Sequence, residues 1–322
     1  MRRACALAFT VLLAVAAGWG IVSTGQGVLA FGDQTLGVLW LVAPFTVLNL
    51  FQLFLSAQAW KPLLPPGPSL SWLYRLRILR EGIDSMLPVA QVGGEAVAAH
   101  MLSQRGLTLA AAGASVVVDV TLEFLTQLIF LLLGIVALAL ISPTGTWQTW
   151  AGAALLTAAA LGGMVAAQRF GILLIMEALA RRIAALWPAI GDLRGLDAAA
   201  AAVYRRPGAL LHGGVLHLLG WLLGCVEAWG VLWALGLHVS PTEALIVEAL
   251  GMAARSAGFA IPGALVVQET GFALAAVSVG LPDTAGLCLS LIKRAREVVV
   301  GVIGLALWWW ERRATQFGHD RS

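Results

Sequence analysis

The chain has 322 residues, 60% of them hydrophobic and only 11% charged, and a mean hydropathy of +0.88. That balance excludes a soluble globular domain and points to a polytopic membrane protein. The formal net charge of +3 is read through membrane topology and not as the footprint of a nucleic-acid partner.

A bilayer-spanning helix needs about 20 mostly apolar residues. The opening "MRRACALAFTVLLAVAAGWG" predicts a first span over 4–22, a signal anchor oriented by Arg2 and Arg3. A second span is expected over 36–58, closed by "KPLLPPGPS", whose prolines cannot continue a helix. Residues 68–104 form two pieces of about 15 residues on either side of Pro88, each too short to cross. A long helix at 110–140 and a span near 149–167 follow. The segment 169–206 mixes Leu, Ile and Trp with Arg and Asp at helical spacing, as a cytoplasmic amphipathic surface segment would. Next come a span over 207–237, a second broken pair over 241–278 around Pro262, and a final span over 284–310. Trp308, Trp309 and Trp310 near its end read as an aromatic belt.

Cytoplasmic loops are enriched in Lys and Arg. With the N-terminus inside, and both broken segments returning to the side they entered, 16 of the 20 basic residues become cytoplasmic. The expected fold is therefore an all-α polytopic membrane protein. It has about six full transmembrane helices plus two inverted re-entrant helical hairpins, in one transmembrane domain over 1–322 with both termini cytoplasmic.

The two broken segments echo each other. At an offset of 174, Pro88 meets Pro262, Glu95 meets Glu269, Gly106-Leu107 meets Gly280-Leu281 and Glu123 meets Glu297; nine of 43 ungapped positions are identical. Repeat 1 covers about 68–141 and repeat 2 about 241–311. Three intervening spans would invert one repeat against the other, a recurrent transporter plan with broken helices near the midplane. The hairpin tips are expected at Pro88, Gln91, Pro262 and Gly263.

Four cations fall inside the apolar segments: Arg255, Lys293, Arg294 and Arg296. Each costs about 2.5–3.5 kcal/mol at mid-span, so water, a counter-ion or a ligand is required. Ser115, Asp119, Glu123 and Gln127, four apart, share one helical face, and Ser290, Lys293, Arg294 and Glu297 share another. Interhelical ion pairs or a polar cavity would each account for them. At the tips, Gly93 and Gly94 allow close backbone approach, and free N–H groups attract an anion. Glu95 and Glu269 either cap those N–H groups or receive a cationic head group or a proton. Glu227 would join the cavity or pair with a histidine. The candidate substrate-binding residues are thus Gly93, Gly94, Glu95, Asp119, Glu123, Arg255, Glu269, Lys293, Arg294, Arg296 and Glu297. His100, His212, His217 and His238 lack metal-ligand spacing, and Cys5, Cys225 and Cys288 lie in apolar segments, so neither metal site, disulfide framework nor cofactor is expected.

"LREGIDSMLPVAQVGGEAV", "ASVVVDVTLEF", "ARSAGFAIPGALVVQETGF" and "LSLIKRAREVVVG" together resemble the flippase-like transmembrane region of lysylphosphatidylglycerol synthases, over nearly the whole chain. The closest likeness is to the stand-alone, hopanoid-biosynthesis-associated HpnL branch. That family's second tip has the form P-G-G-x-G-x-x-E, where this chain has Ala264 and Val266 in place of two glycines. The resemblance implies movement of a lipid, of the phospholipid or hopanoid class, between leaflets of a bacterial inner membrane. It does not imply aminoacyl transfer, which belongs to a soluble C-terminal domain, and the chain stops at Ser322. The expected partners are a membrane lipid substrate and enzymes of lipid biosynthesis. No catalytic triad, metal cluster or nucleotide motif supports an enzyme. A head-group-modifying membrane enzyme and a scaffold for lipid-pathway enzymes are the alternatives.

Overall fold

The computed structural model describes residues 37–86, 93–142, 195–258 and 266–319, with isolated positions 159, 163, 166 and 264. The expected spans over 4–22 and 149–167 lie outside the described residues. So do the expected tips Pro88, Gln91, Pro262 and Gly263, and most of the segment 169–206.

Among the described residues the regular elements are all helices. In chain order they are α1 (Val42–Trp60), α2 (Leu70–Met86), α3 (Gly93–Ser103), α4 (Leu109–Ile141), α5 (Leu196–Tyr204), α6 (Pro207–Ala234), α7 (Pro241–Ala257), α8 (Val267–Ser278) and α9 (Asp283–His319). Single turns extend α1 to Leu39–Leu63, and this stretch, α4 and α6 are long and apolar enough to cross a membrane. At about 1.5 Å per residue each exceeds a hydrocarbon core about 30 Å thick. The second, third and fifth expected spans are thereby accounted for. The helix α9 has the length of a span, but Lys293, Arg294, Arg296 and Glu297 interrupt its apolar character. The helices α2, α3, α7 and α8 have 17, 11, 17 and 12 residues, as the broken segments require.

Local chemistry sets these boundaries. Ser240 caps α7 in a capping box with Glu243, and Pro241 occupies the first turn. Thr108 caps α4 by accepting from the Ala111 N–H. The left-handed Gly106 (φ +92°) lies between α3 and α4, and the left-handed Gly280 (φ +79°) between α8 and α9. At the offset of 174, the start of α3 at Gly93 maps on the start of α8 at Val267, and Leu109 of α4 on Asp283 of α9. The succession of short helix, left-handed glycine and long helix is therefore written twice.

The described chain divides into two compact units: residues within 1–53, 75–94 and 224–322, and residues within 54–74 and 95–223. In the first unit α7 and α8 run antiparallel. Gly258 faces Val267, and Gly271 faces Ala254 so closely that a Cβ on Gly271 would come within 2.2 Å of Ala254 Cβ. A Cβ on Gly286 of α9 would lie 2.1 Å from the Phe272 carbonyl oxygen of α8, so those two backbones touch. Phe45, Ala228, Val231, Val247, Phe272, Leu289 and Ile292 form the apolar core of this unit. In the second unit α5 packs on α4, where Tyr204 hydrogen-bonds Thr121. The Trp221 ring stacks on Phe130 at 6.2 Å, and its Nε1 donates to Thr126 at 3.3 Å.

Candidate functional site: a buried charge cluster

In the first unit eight charged side chains from α6, α7, α8 and α9 come together. Lys293 lies at the centre, only 2% exposed. Its ammonium donates to Glu248 Oε1 at 2.9 Å and to Glu227 Oε2 at 3.1 Å. Arg296, one turn further along α9, donates to the same Glu227 oxygen. The Phe272 ring of α8 stands 5.7 Å from the Lys293 nitrogen. Glycine makes room for the inner acid: a Cβ on Gly224 would sit 2.6 Å from Glu248 Oε1.

Two further pairs surround this centre and are a little more open. Arg255 pairs with Glu297, and Arg294 pairs with Glu269, whose side chain is 22% exposed. Arg255 also donates to Gln268 at 3.1 Å, and the Gln268 amide donates to Ser290 at 3.2 Å. The four cations Arg255, Lys293, Arg294 and Arg296 are thus matched by four carboxylates, Glu227, Glu248, Glu269 and Glu297. A buried charge that loses its partner is far more costly than one that keeps it, so this neutrality is what lets the group stay dehydrated. Three carboxylate oxygens, Glu227 Oε1, Glu248 Oε2 and Glu269 Oε2, are buried without a hydrogen-bond partner among the described residues.

The structure brings Arg255, Glu269, Lys293, Arg294, Arg296 and Glu297 of the expected residues together in ion pairs. Glu227 joins them, paired with a lysine and an arginine. Glu248 is the member that sequence reasoning missed. The signal was available: Glu248 and Arg255 are seven apart, hence on one face of α7.

The remaining expected residues sit elsewhere. Asp119 and Glu123 belong to the second unit. There Asp119, fully buried, bonds His217 Nε2 at 3.0 Å, and Ser115 on the same face accepts from Trp60 Nε1 at 3.3 Å. Glu123 is half-buried, as is Glu95 near the start of α3. Gly94 does give close approach, but to a protein group. Its N–H donates to Asp84 Oδ1 at 2.7 Å, and a Cβ there would lie 2.6 Å from the Arg80 carbonyl. Asp84 therefore occupies the anion-attracting start of α3. In the second unit the Arg105 guanidinium, just past the end of α3, covers the Trp72 ring at 4.5 Å.

The second break carries backbone strain. Ala264 has φ +48° and Val266 has φ +67°. Both are at the positions where the resembling family carries glycine. Left-handed backbone costs a residue with a side chain about 1–2 kcal/mol, and β-branching aggravates it.

Among the described residues no group of three or more His, Cys, Asp or Glu side chains is placed to hold a metal ion. No curated protein and no solved structure matches the chain. Residues 4–304 match the family model described as the lysylphosphatidylglycerol synthase TM region. The chain, with its long apolar helices and this match over most of its length, belongs to the lysylphosphatidylglycerol synthase transmembrane-region family and is a multi-pass membrane protein of a family tied to lipid metabolism.

Proposed function

We propose that the protein is a lipid translocator, which takes the polar head of an amphipathic lipid and carries it between the leaflets of a bacterial inner membrane. The observation that carries this reading is the eight-membered ion-paired cluster set among apolar helices beside a broken helix pair. Charges in a bilayer are costly and mark pathways for polar cargo. The most exposed members of the cluster, Arg255 and Glu269, belong to its outer pairs, Arg255–Glu297 and Arg294–Glu269. Charge-assisted bonds to a phosphate or hydroxyl-bearing head would form there by exchange of partners.

In this reading the membrane topology is six full spans and two re-entrant hairpins inverted against each other, with both termini cytoplasmic. The recurrence of helix starts at an offset of 174 supports the repeat, and the antiparallel packing of α7 on α8 supports the hairpin. The likeness of "SLIKRARE" to the HpnL branch favours a hopanoid or a phospholipid as cargo.

The test is a leaflet assay with purified protein in proteoliposomes and a fluorescent phospholipid analogue. Arg294→Ala is expected to slow translocation about 10- to 100-fold, the worth of one hydrogen bond to a charged group. Arg294 is preferable to Lys293 because loss of Lys293 strips the buried Glu248 of its bonded cation. Unchanged translocation by a monodisperse Arg294→Ala protein would defeat the proposal.

A further inference from the structure

We infer that Glu248 is a proton-binding site, and that the cluster takes up one proton with each anionic group it admits. The second half of that statement rests on the translocator reading; the first does not.

The geometry distinguishes the two inner acids. Glu227 faces two bonded cations, Lys293 and Arg296, whereas Glu248 bonds Lys293 alone. The second oxygen of Glu248 is buried and has no hydrogen-bond partner among the described residues. The groups around Glu248 come from every neighbouring helix. From α6 these are Glu227, the Cys225 thiol and the bare backbone of Gly224. From α9 they are Lys293 and Arg296. The helix α8 places the Phe272 ring beside Lys293, and its polar residues Gln268 and Glu269 bond Arg255, Ser290 and Arg294 instead. On α7 itself, Arg255 is engaged by Glu297.

With all eight ion-paired groups ionised their charges cancel, and Glu81 of α2 adds a further negative charge facing Arg255. An anionic group entering it would add an uncompensated negative charge to a dehydrated site, which is strongly unfavourable. A proton from water on Glu248 Oε2 removes one negative charge and turns an acceptor-only carboxylate into a donor. Lys293 keeps its bond to Glu227, the eight paired groups become singly positive, and the anion balances that charge. When the anion leaves, the proton leaves with it.

Infrared difference spectroscopy of the full chain in nanodiscs reads the protonated carboxyl band as pH is varied. The band is expected to titrate in the wild type, to vanish in Glu248→Gln and to persist, displaced, in Glu248→Asp. In Glu227→Gln, Glu248 becomes the only acid bonded to Lys293, and the midpoint should move to lower pH. In weakly buffered solution, adding short-chain phosphatidylglycerol should draw about one proton per bound lipid into the wild type and none into Glu248→Gln. A titrating band that survives in Glu248→Gln, its absence from the wild type, or lipid-linked proton uptake unaltered by Glu248→Gln would each overturn the inference. The infrared reading needs no lipid movement. A protein that moves no lipid but loses the band with Glu248→Gln refutes the translocator and leaves the proton site standing.

Discussion

Replacing Lys293 by methionine removes the ammonium while keeping a long unbranched side chain in its place. The residue is 2% exposed and bonds two carboxylates at 2.9 and 3.1 Å. After the change Glu227 keeps Arg296, but Glu248 loses its bonded cation. Stripping one partner from a buried pair costs about 3–5 kcal/mol, and that is the expected loss for Lys293→Met. The double variant Lys293→Met with Glu248→Gln removes one charge of each sign and restores neutrality. It should be more stable than Lys293→Met alone by about 2 kcal/mol, a non-additivity typical of residues in one network. Unfolding by SDS in mixed micelles, followed by tryptophan fluorescence, measures both. A Lys293→Met protein within about 1 kcal/mol of the wild type, or a double variant no more stable than the single, would refute the charge-balance reasoning.

The strained turn offers a change in the opposite direction. Val266 is 73% exposed at φ +67°, so Val266→Gly gives up little packing. It should gain about 1 kcal/mol once the added freedom of the unfolded chain is subtracted. Val267→Gly inside α8 should lose about as much, and equal behaviour of the two variants in the same titration would dismiss the strain. Gly286→Ala forces a Cβ against the Phe272 carbonyl and should cost about 1–3 kcal/mol, whereas Gly208→Ala, with nothing within 4 Å of the added carbon, should cost nothing. If Gly286→Ala melts like the wild type, the backbone contact of α8 with α9 is not as described. In the second unit, His217→Ala takes the ring partner from the buried Asp119 and should cost about 1–3 kcal/mol by the same unfolding assay. Wild-type stability there would show that the pair does not hold.

Much of this was legible because membrane sequences obey few rules. The three long apolar helices follow from composition, and the starts of α3 and α8, and of α4 and α9, recur at the offset of 174 that relates Pro88 and Gly106 to their echoes. The cations of the apolar segments stood out because an apolar run makes any charge conspicuous. Their partners did not, since pairing across helices is set by packing, and spacing on one helix says nothing about the next. Thus the face containing Asp119 was visible, but His217, 98 residues away, was not recognisable as its partner. Glu248 escaped notice for a related reason. It stands in "EALIVEALG" at the middle of the 17-residue α7, and nothing in that run says that Gly224 of another helix opens a space for it. Asp84 shows the reverse case: Gly94 meets a close approach, and nothing in the Gly93-Gly94 pair says whether a ligand or the protein's own carboxylate arrives.

The contact between Gly286 and Phe272 limits how this unit can move. Where two helices meet through side chains, one can slip along the other by changing rotamers. Where backbone meets backbone, as α8 and α9 do, there is nothing to rearrange, and the pair translates as one body. Arg294, Glu269, Gln268 and Ser290 all ride on that body. The bonds that remain free to stretch are those from Lys293 and Arg296 to Glu227 on α6 and Glu248 on α7, together with those from Arg255 on α7. Any opening of the cluster must therefore part along that seam, with Glu227, Glu248 and Arg255 on one side and Lys293, Arg296 and Glu297 on the other.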